Sequence, residues 1–327
     1  MGDSRNEKLR LAETGIEELR CCKQSARILK QHNGSRARVV INADDLGLSK
    51  SVNESVFRLA RLGAITSVSL LAVGSNVEAA LEWAGTQDNV SIGVHLCLTD
   101  GFKPITQASG IVNKEGKFPS LTGFAGKAIC GLVSEETIYE EWRAQIELIR
   151  SRGIKVSHLD SHQHVHMLPS IAPVIIRLAK EEHLAVRHTS GPFGFSLTAC
   201  KPCHAFLSTM FCLGIWKSLL LRWYGKKFKA QLNAAGISTV DIYISPSSLC
   251  SRMRRVASPE AADMLAKLAA LSSGTVEWVV HPSDTNVCSQ DPAWMQAMRS
   301  GDLLMLEGGA CAAALGNVGA ELSTWQL

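Results

Sequence analysis

The chain has 327 residues, of which 46% are hydrophobic and 20% charged, with 26 glycines and 10 prolines. This composition excludes a disordered tail, a fibre or a linker array and allows two ordinary domains or one large α/β barrel. The formal charge of +4 resides entirely in residues 1–38, where nine Lys/Arg stand against five Asp/Glu, and the remainder balances at 25 against 25; a neutral body of this kind gives a phosphate backbone little to bind, so no nucleic-acid partner is expected.

Scattered Leu and Ile among charges in residues 1–38 predict an extension of one or two surface helices ahead of a main domain at 39–327. Asp3, Glu7, Arg10, Glu13, Glu17 and Glu18 interrupt any apolar core there, so the stretch does not read as a secretory signal, and a cytoplasmic setting is expected. The 10 cysteines are too sparse for a disulfide scaffold and read mostly as small buried hydrophobes. Cys200-x-x-Cys203 followed by His204 resembles half a zinc site or a redox pair, but no second spaced pair completes it.

From Arg38, the run Val39-Val-Ile-Asn-Ala-Asp-Asp45 predicts a buried strand that delivers two carboxylates to its end. Ser49 to Arg61 predicts a helix with Val52, Val56, Leu59 and Ala60 on its apolar stripe and Gly63 as its stop. A strand over 65–73, a helix over 77–85 and a strand over 90–98 carrying His95 follow. After a polar excursion from Thr99 to about Leu121, residues 135–152 predict a long helix with Ile138, Trp142, Ile146 and Ile149 facing the core. Val156 to Asp160 predicts a strand running into Ser161-His-Gln-His-Val-His166, and Pro169 precedes a further helix to Lys180. Residues 190–235 are less regular. Their apolar run Met210 to Trp216, with Leu219 to Leu221 and then Arg222, Lys226, Lys227 and Lys229, is too short to span a bilayer and fits a buried helix or one lying against lipid. Val276 to Val280 predicts a last strand, ending at His281-Pro-Ser-Asp284. Repeated βα units ending in acid or imidazole argue for one barrel-like domain whose strand ends converge.

No dinucleotide fingerprint, phosphate loop, nucleophile elbow or His-Glu-x-x-His helix is present. Asp44 and Asp45 would repel in a shielded place unless a cation or a shared proton relieves them, although a helix cap beside a surface acid would also account for the pair. His95 is either a hydrogen-bonded core residue or a ligand. An extended backbone would put His162, His164 and His166 on one side. With carboxylates nearby, such a row suits one divalent cation, a two-cation site or merely a polar strand end.

Five strings carry a family resemblance: Asn42-Ala-Asp-Asp-Leu-Gly-Leu-Ser49, Ile65-Thr-Ser-Val-Ser-Leu70, Ile92-Gly-Val-His-Leu-Cys-Leu-Thr99, His158-Leu-Asp-Ser-His-Gln-His-Val-His166 and Glu277-Trp-Val-Val-His-Pro282. Together, over residues 38–325, they resemble the YdjC-like carbohydrate deacetylases. The resemblance implies a divergent (β/α) barrel of the polysaccharide-deacetylase kind that removes acetyl groups from N-acetylated amino sugars. It implies Asp45, His95 and His162 as ligands of one divalent cation, Mg2+ or Zn2+, and Asp44 as general base. Gly236-Ile-Ser-Thr-Val-Asp241 and the apolar-basic segment before it resemble the branch associated with hopanoid synthesis, which implies an acetylglucosaminyl lipid as substrate and a peripheral membrane contact. Two departures from that branch, Ile242-Tyr-Ile-Ser-Pro-Ser-Ser248 and Ser283-Asp284, point to a different substrate wall and rim.

Amide hydrolysis needs a polarised carbonyl or an acidified water, a carboxylate to take the water proton and an acid for the departing amine. His281 is the candidate acid, with His164 and His166 as rivals, and Asp160 is either a carboxylate placed to fix a histidine tautomer or a simple strand-end cap. The alternatives are a metal-dependent phosphoester or glycosidic hydrolase and a non-catalytic carbohydrate- or lipid-binding protein. The sequence fixes no oligomeric state.

Overall fold

The computed structural model describes residues 36–190, 213–245, 259–270, 272, 274–284, 291 and 293–325. The first 35 residues of the expected extension and the Cys200, Cys203 and His204 cluster lie outside these. In chain order the elements are β1 (Arg38–Leu46), α1 (Lys50–Arg61), β2 (Ser67–Leu70), α2 (Val77–Ala84), β3 (Ser91–Leu96), α3 (Leu121–Ile129), α4 (Glu135–Arg150) and β4 (Val156–Ser161). After a 3₁₀ turn (His162–Met167) come α5 (Ala172–Glu182), β5 (Ala185–Val186), α6 (Leu213–Ala234), β6 (Ile242–Ile244), α7 (Pro259–Ala269), β7 (Thr275–Val280), α8 (Ala293–Glu307), α9 (Ala310–Asn317) and β8 (Glu321–Leu322).

All pairings are parallel, in the order β5-β4-β3-β2-β1-β7-β6, with β8 joining the start of β1 through Arg38 and Val39. The two edges of this curled sheet approach each other: Val186 N–H donates to Ser238 C=O at 3.0 Å and Tyr243 N–H to Ser190 C=O at 2.9 Å. The result is the barrel-like arrangement expected from the alternating pattern, in the form of the divergent (β/α) barrel that the family resemblance implies.

The register divides each strand between two faces, because side chains alternate along a strand. Val39, Ile41 and Ala43 fall beside Val68 and Leu70, Val94 and Leu96, and Val276, Trp278 and Val280, all buried in the main apolar core. Helices cover this face. α1 starts at Ser49, whose Oγ accepts the Val52 N–H, and packs Val52, Val56 and Leu59 inward; each such side chain contributes about 1.5–3 kcal/mol by leaving water. α4 does the same with Ile138, Trp142, Ile146 and Ile149.

The opposite face looks into the curl and is polar. Asn42, Asp44, Ser67, Ser69, His95, His158, Asp160, Arg187 and Glu277 share it, and all are buried. Gly93 is required there, since a Cβ on it would lie 2.3 Å from the His158 ring. The floor of this interior is a small separate apolar cluster of Val40, Ala185, Val240 and Trp325, with the Trp325 ring stacked on His158 at 4.2 Å.

Candidate active site

β1 ends by splitting its two acids. Asp44 continues the inward-facing series of Asn42, whereas Asp45 adopts a left-handed backbone (φ 68°) that carries its carboxylate away from that of its neighbour. The turn beyond is clamped: Gly47 (φ 97°) donates its N–H to Asn53 Oδ1 at 2.7 Å, and Leu48 N–H reaches Asp45 C=O at 3.0 Å. Asp and Gly tolerate positive φ better than other residues, which is why this sequence can turn here.

Asp45 Oδ1 faces two imidazoles, His162 Nδ1 at 3.2 Å and His95 Nε2 at 3.4 Å, while Arg299 Nη2 on α8 donates to Oδ2 at 2.7 Å. Each histidine spends its other nitrogen on a second carboxylate: His95 Nδ1 meets Asp160 Oδ1 at 2.8 Å, and His162 Nε2 meets Asp100 Oδ2 at 3.0 Å. Ligand atoms of Asp45, His95 and His162 all lie within 4.8 Å of one another. One oxygen and two imidazole nitrogens, each imidazole backed by a carboxylate, is a donor set that fits a divalent cation such as zinc or magnesium. The electrostatics agree. Burial pushes the Asp45 carboxyl up, but Arg299 and the two imidazoles outweigh it and hold it well below the usual range. Burial also opposes protonation of His95, yet Asp160 and Asp44 raise it to about 10, a measure of the negative charge gathered at this point.

Asp44 has a different environment. Arg187, wholly buried, holds it with Nη2 on Oδ1 and Nη1 on Oδ2, both at 2.8 Å, and Asn42 Nδ2 adds a bond to Oδ1 at 2.7 Å. His281 Nε2 lies 3.7 Å from Asp44 Oδ2, and burial holds that imidazole below its ordinary value. The His281 backbone N–H donates to Asp302 Oδ2 at 2.8 Å. Asp44, His95 and Asp160 form a second group of closely spaced donors, but the Arg187 guanidinium already bonds both of those carboxylates, Asp160 Oδ2 at 2.5 Å. A positive group thus stands where a second cation would.

The structure brings Asp44, Asp45, His95, His162 and His281 together, with Asp160 behind His95 as anticipated. It overturns the expected one-sided row of His162, His164 and His166. The strand stops at Ser161, and Gln163 and His164 take positive φ (56° and 58°), so the three rings diverge. Ser161 Oγ enforces the turn by accepting the His166 N–H at 3.1 Å and bonding His166 Nδ1 at 2.6 Å. His166 Nε2 is taken by the Arg187 carbonyl at 3.1 Å, which makes His166 a scaffold residue. His164 stands edge-on to Tyr243 at 5.9 Å.

Arg187, Arg299 and Asp100 are functional neighbours that the sequence reading missed. Arg187 had a signal: Leu184-Ala-Val-Arg187 is a short apolar run ending in a charge, the same signature that marked Asp44 and Asp160. Asp100 and Arg299 lie in a loop and on a helix, and no local pattern pairs them with His162 or Asp45. Asp100 is held by its own bonds, its N–H donating to the Pro119 C=O at 3.0 Å and its Oδ2 accepting from Gln163 Nε2 at 3.1 Å.

Fold and site together define an α/β-barrel protein with an enzyme-type centre at the carboxyl ends of its strands. The chain belongs to the YdjC-like protein family, whose description matches residues 38–317. It is 38% identical over 151 residues to a carbohydrate deacetylase of Oceanobacillus iheyensis, covering 46% of this chain and 64% of that protein. It is 37% identical over 150 residues to one of Halalkalibacterium halodurans, covering 46% and 63%. The matched stretch thus spans under two thirds of either relative. A crystal structure from Enterococcus faecalis V583, described provisionally as a cellobiose-phosphate cleavage protein, superposes with a TM-score of 0.65 at 22% identity over 89% of this chain and 98% of that one. This likeness establishes the shared fold.

Proposed function

We propose that the protein is a metal-dependent hydrolase that removes an N-acetyl group from an amino-sugar glycan or glycolipid. The observation that carries this reading is the division of labour between adjacent acids: Asp45 turns to two imidazoles, and Asp44 to Arg187 and His281. The deacetylase names of the two bacterial relatives support it.

In this reading Asp45, His95 and His162 hold one divalent cation, Mg2+ or Zn2+, which when bound supplies the Lewis acidity an amide carbonyl requires. Asp44 accepts a proton from the attacking water as its oxygen bonds to the acetyl carbon. Arg187, fixed to both Asp44 oxygens, keeps the carboxylate aimed. His281, neutral at rest and 3.7 Å from Asp44 Oδ2, relays that proton to the sugar nitrogen. The C–N bond then breaks, leaving acetic acid and a free amine, between which the remaining proton is shared out in water. The guanidinium between Asp44 and Asp160 favours one cation over the two that phosphoester chemistry commonly employs.

A lipid-linked substrate is a further part of the proposal. Phe211, and the side chain of Trp216, fall outside the described residues. Trp223 on α6 is 50% exposed with Lys227 Nζ 3.7 Å over its ring, an aromatic-basic pairing suited to a headgroup region and to peripheral contact with the inner face of a membrane. No helix among the described residues is long and apolar enough to cross a membrane.

The test is a panel of N-acetylglucosamine oligomers and N-acetylglucosaminyl lipids with direct acetate detection. Acetate release that stops with chelator and returns with one added cation is expected. No acetate from any panel member, with the folded and metal-supplied protein, would sink the proposal; sugar binding that survives Asp44→Ala unchanged would then favour a non-catalytic binding protein.

A further inference from the structure

Glu277, on β7, is buried within the barrel and has no part in the chemistry set out above. Its Oε1 accepts from Arg187 Nε at 2.8 Å and lies 2.7 Å from Nη2. A guanidinium has five N–H donors in a rigid plane. In Arg187 the Nη1–Nη2 edge takes both Asp44 oxygens, the second Nη1 hydrogen has Asp160 Oδ2 at 2.5 Å, and the adjoining Nε–Nη2 edge takes Glu277. Every donor therefore has a carboxylate oxygen.

The backbone of Arg187 is held by β4 and by the bonds of Val186 to Ser238 and of Arg187 to Leu159 and His166, but β5 itself is two residues long, so the orientation of the long side chain reaching from its end is left to that side chain's own partners. Glu277 comes from the far side of the barrel, beside Tyr243 and Val40 in register, and closes the plane from the direction opposite Asp160. We propose that Glu277 is a positioning residue for Asp44, acting through Arg187: by occupying the Nε edge it leaves the guanidinium one orientation, with its paired edge on the candidate base.

Its remaining oxygen, Oε2, is buried without a hydrogen-bond partner, which suits an uncharged acid better than a carboxylate. Burial pushes the Glu277 carboxyl up to about 8 against the pull of Arg187. A neutral Glu277 would give Arg187 an acceptor without drawing on its charge, leaving that charge to Asp44 and Asp160. An amide in the same place would serve equally well.

The inference rests on Asp44 being the base, so it is tested by readouts with and without substrate. Glu277→Gln keeps an acceptor; Glu277→Met has similar bulk and none. We expect Glu277→Gln to stay within about 3-fold of the parent in kcat, and Glu277→Met to lose about 100-fold, the scale of a misplaced catalytic group, with metal affinity unchanged in both. By NMR on isotope-labelled protein, the Arg187 Nε–H resonance should persist in Glu277→Gln and exchange away in Glu277→Met. Equal losses of kcat in both variants, or an Arg187 signal indifferent to Glu277→Met, would overturn the inference. If Glu277→Met does not fold, the comparison of Glu277→Gln with Glu277→Ser decides on the same readouts. Absence of acetate release from the unaltered protein on every substrate overturns the deacetylase reading instead, and leaves the resonance test standing.

Discussion

Arg187 grips Asp44 through both carboxylate oxygens at 2.8 Å, and both residues are sealed from solvent. A lysine can supply only a point charge in place of this planar fork. Arg187→Lys should therefore reduce kcat about 100-fold while metal affinity, measured calorimetrically, stays near the parent value. Removing a planar partner from the buried acids Asp44, Asp160 and Glu277 should also cost about 3 kcal/mol in denaturant unfolding.

The adjacent acids should separate cleanly by mutation. Asp44→Asn should preserve metal binding and lose turnover, whereas Asp45→Asn and His162→Ala should lose metal binding first. Titration of each folded variant with zinc or magnesium checks this, and equal loss of affinity in all three would contradict the assignment.

Asp100 should matter without being a ligand. It holds His162 Nε2 at 3.0 Å and so leaves Nδ1 facing Asp45. Asp100→Ala should weaken the metal by roughly 10- to 100-fold, the usual effect of removing a carboxylate behind a ligating histidine. The reference measurement is the dissociation constant of the metal alone, without substrate.

Asp302 gives a pH signature. Burial raises its carboxyl to about 7, against about 3.9 in an unfolded chain. A raised acid contributes stability that is fully present below the unfolded value and is lost as pH rises through 7. Asp302→Asn retains an acceptor for the His281 N–H and has nothing to ionise. Its melting temperature should therefore gain on that of the parent protein between about pH 5 and pH 8.

Gly93→Ala should be among the most damaging single changes outside the site. The added carbon would lie 2.3 Å from the His158 ring, itself held against Trp325 at 4.2 Å. A loss of about 3 kcal/mol is expected from such overpacking, read by chemical denaturation.

Strand ends were the legible part of this chain. Asp44, Asp45, His95, Asp160 and His281 each follow a short apolar run, and a parallel sheet obliges such ends to meet. The inward polar face was harder to see: Ser67, Ser69 and Glu277 alternate with core residues, but in strands this short the alternation hardly stands out from a mixed composition. The histidine row misled because spacing two has meaning only while the backbone stays extended, and Ser161 ends that by capturing His166. Arg299 and Asp100 act across sequence separations of 254 and 62 residues; pairings of that kind come from tertiary geometry, which a linear pattern does not encode.

The place of β1 in the sheet bears on how the molecule is made. It lies between β2 and β7 and also receives β8, so the strand bearing both aspartates lacks one neighbour until residues 275–280 have been synthesised. Such long-range pairings form late and slowly. A nascent chain would thus hold these acids in an unfinished half-sheet until β7, and Arg299 beyond it, had followed, a natural point for chaperones to act and for misfolding to compete.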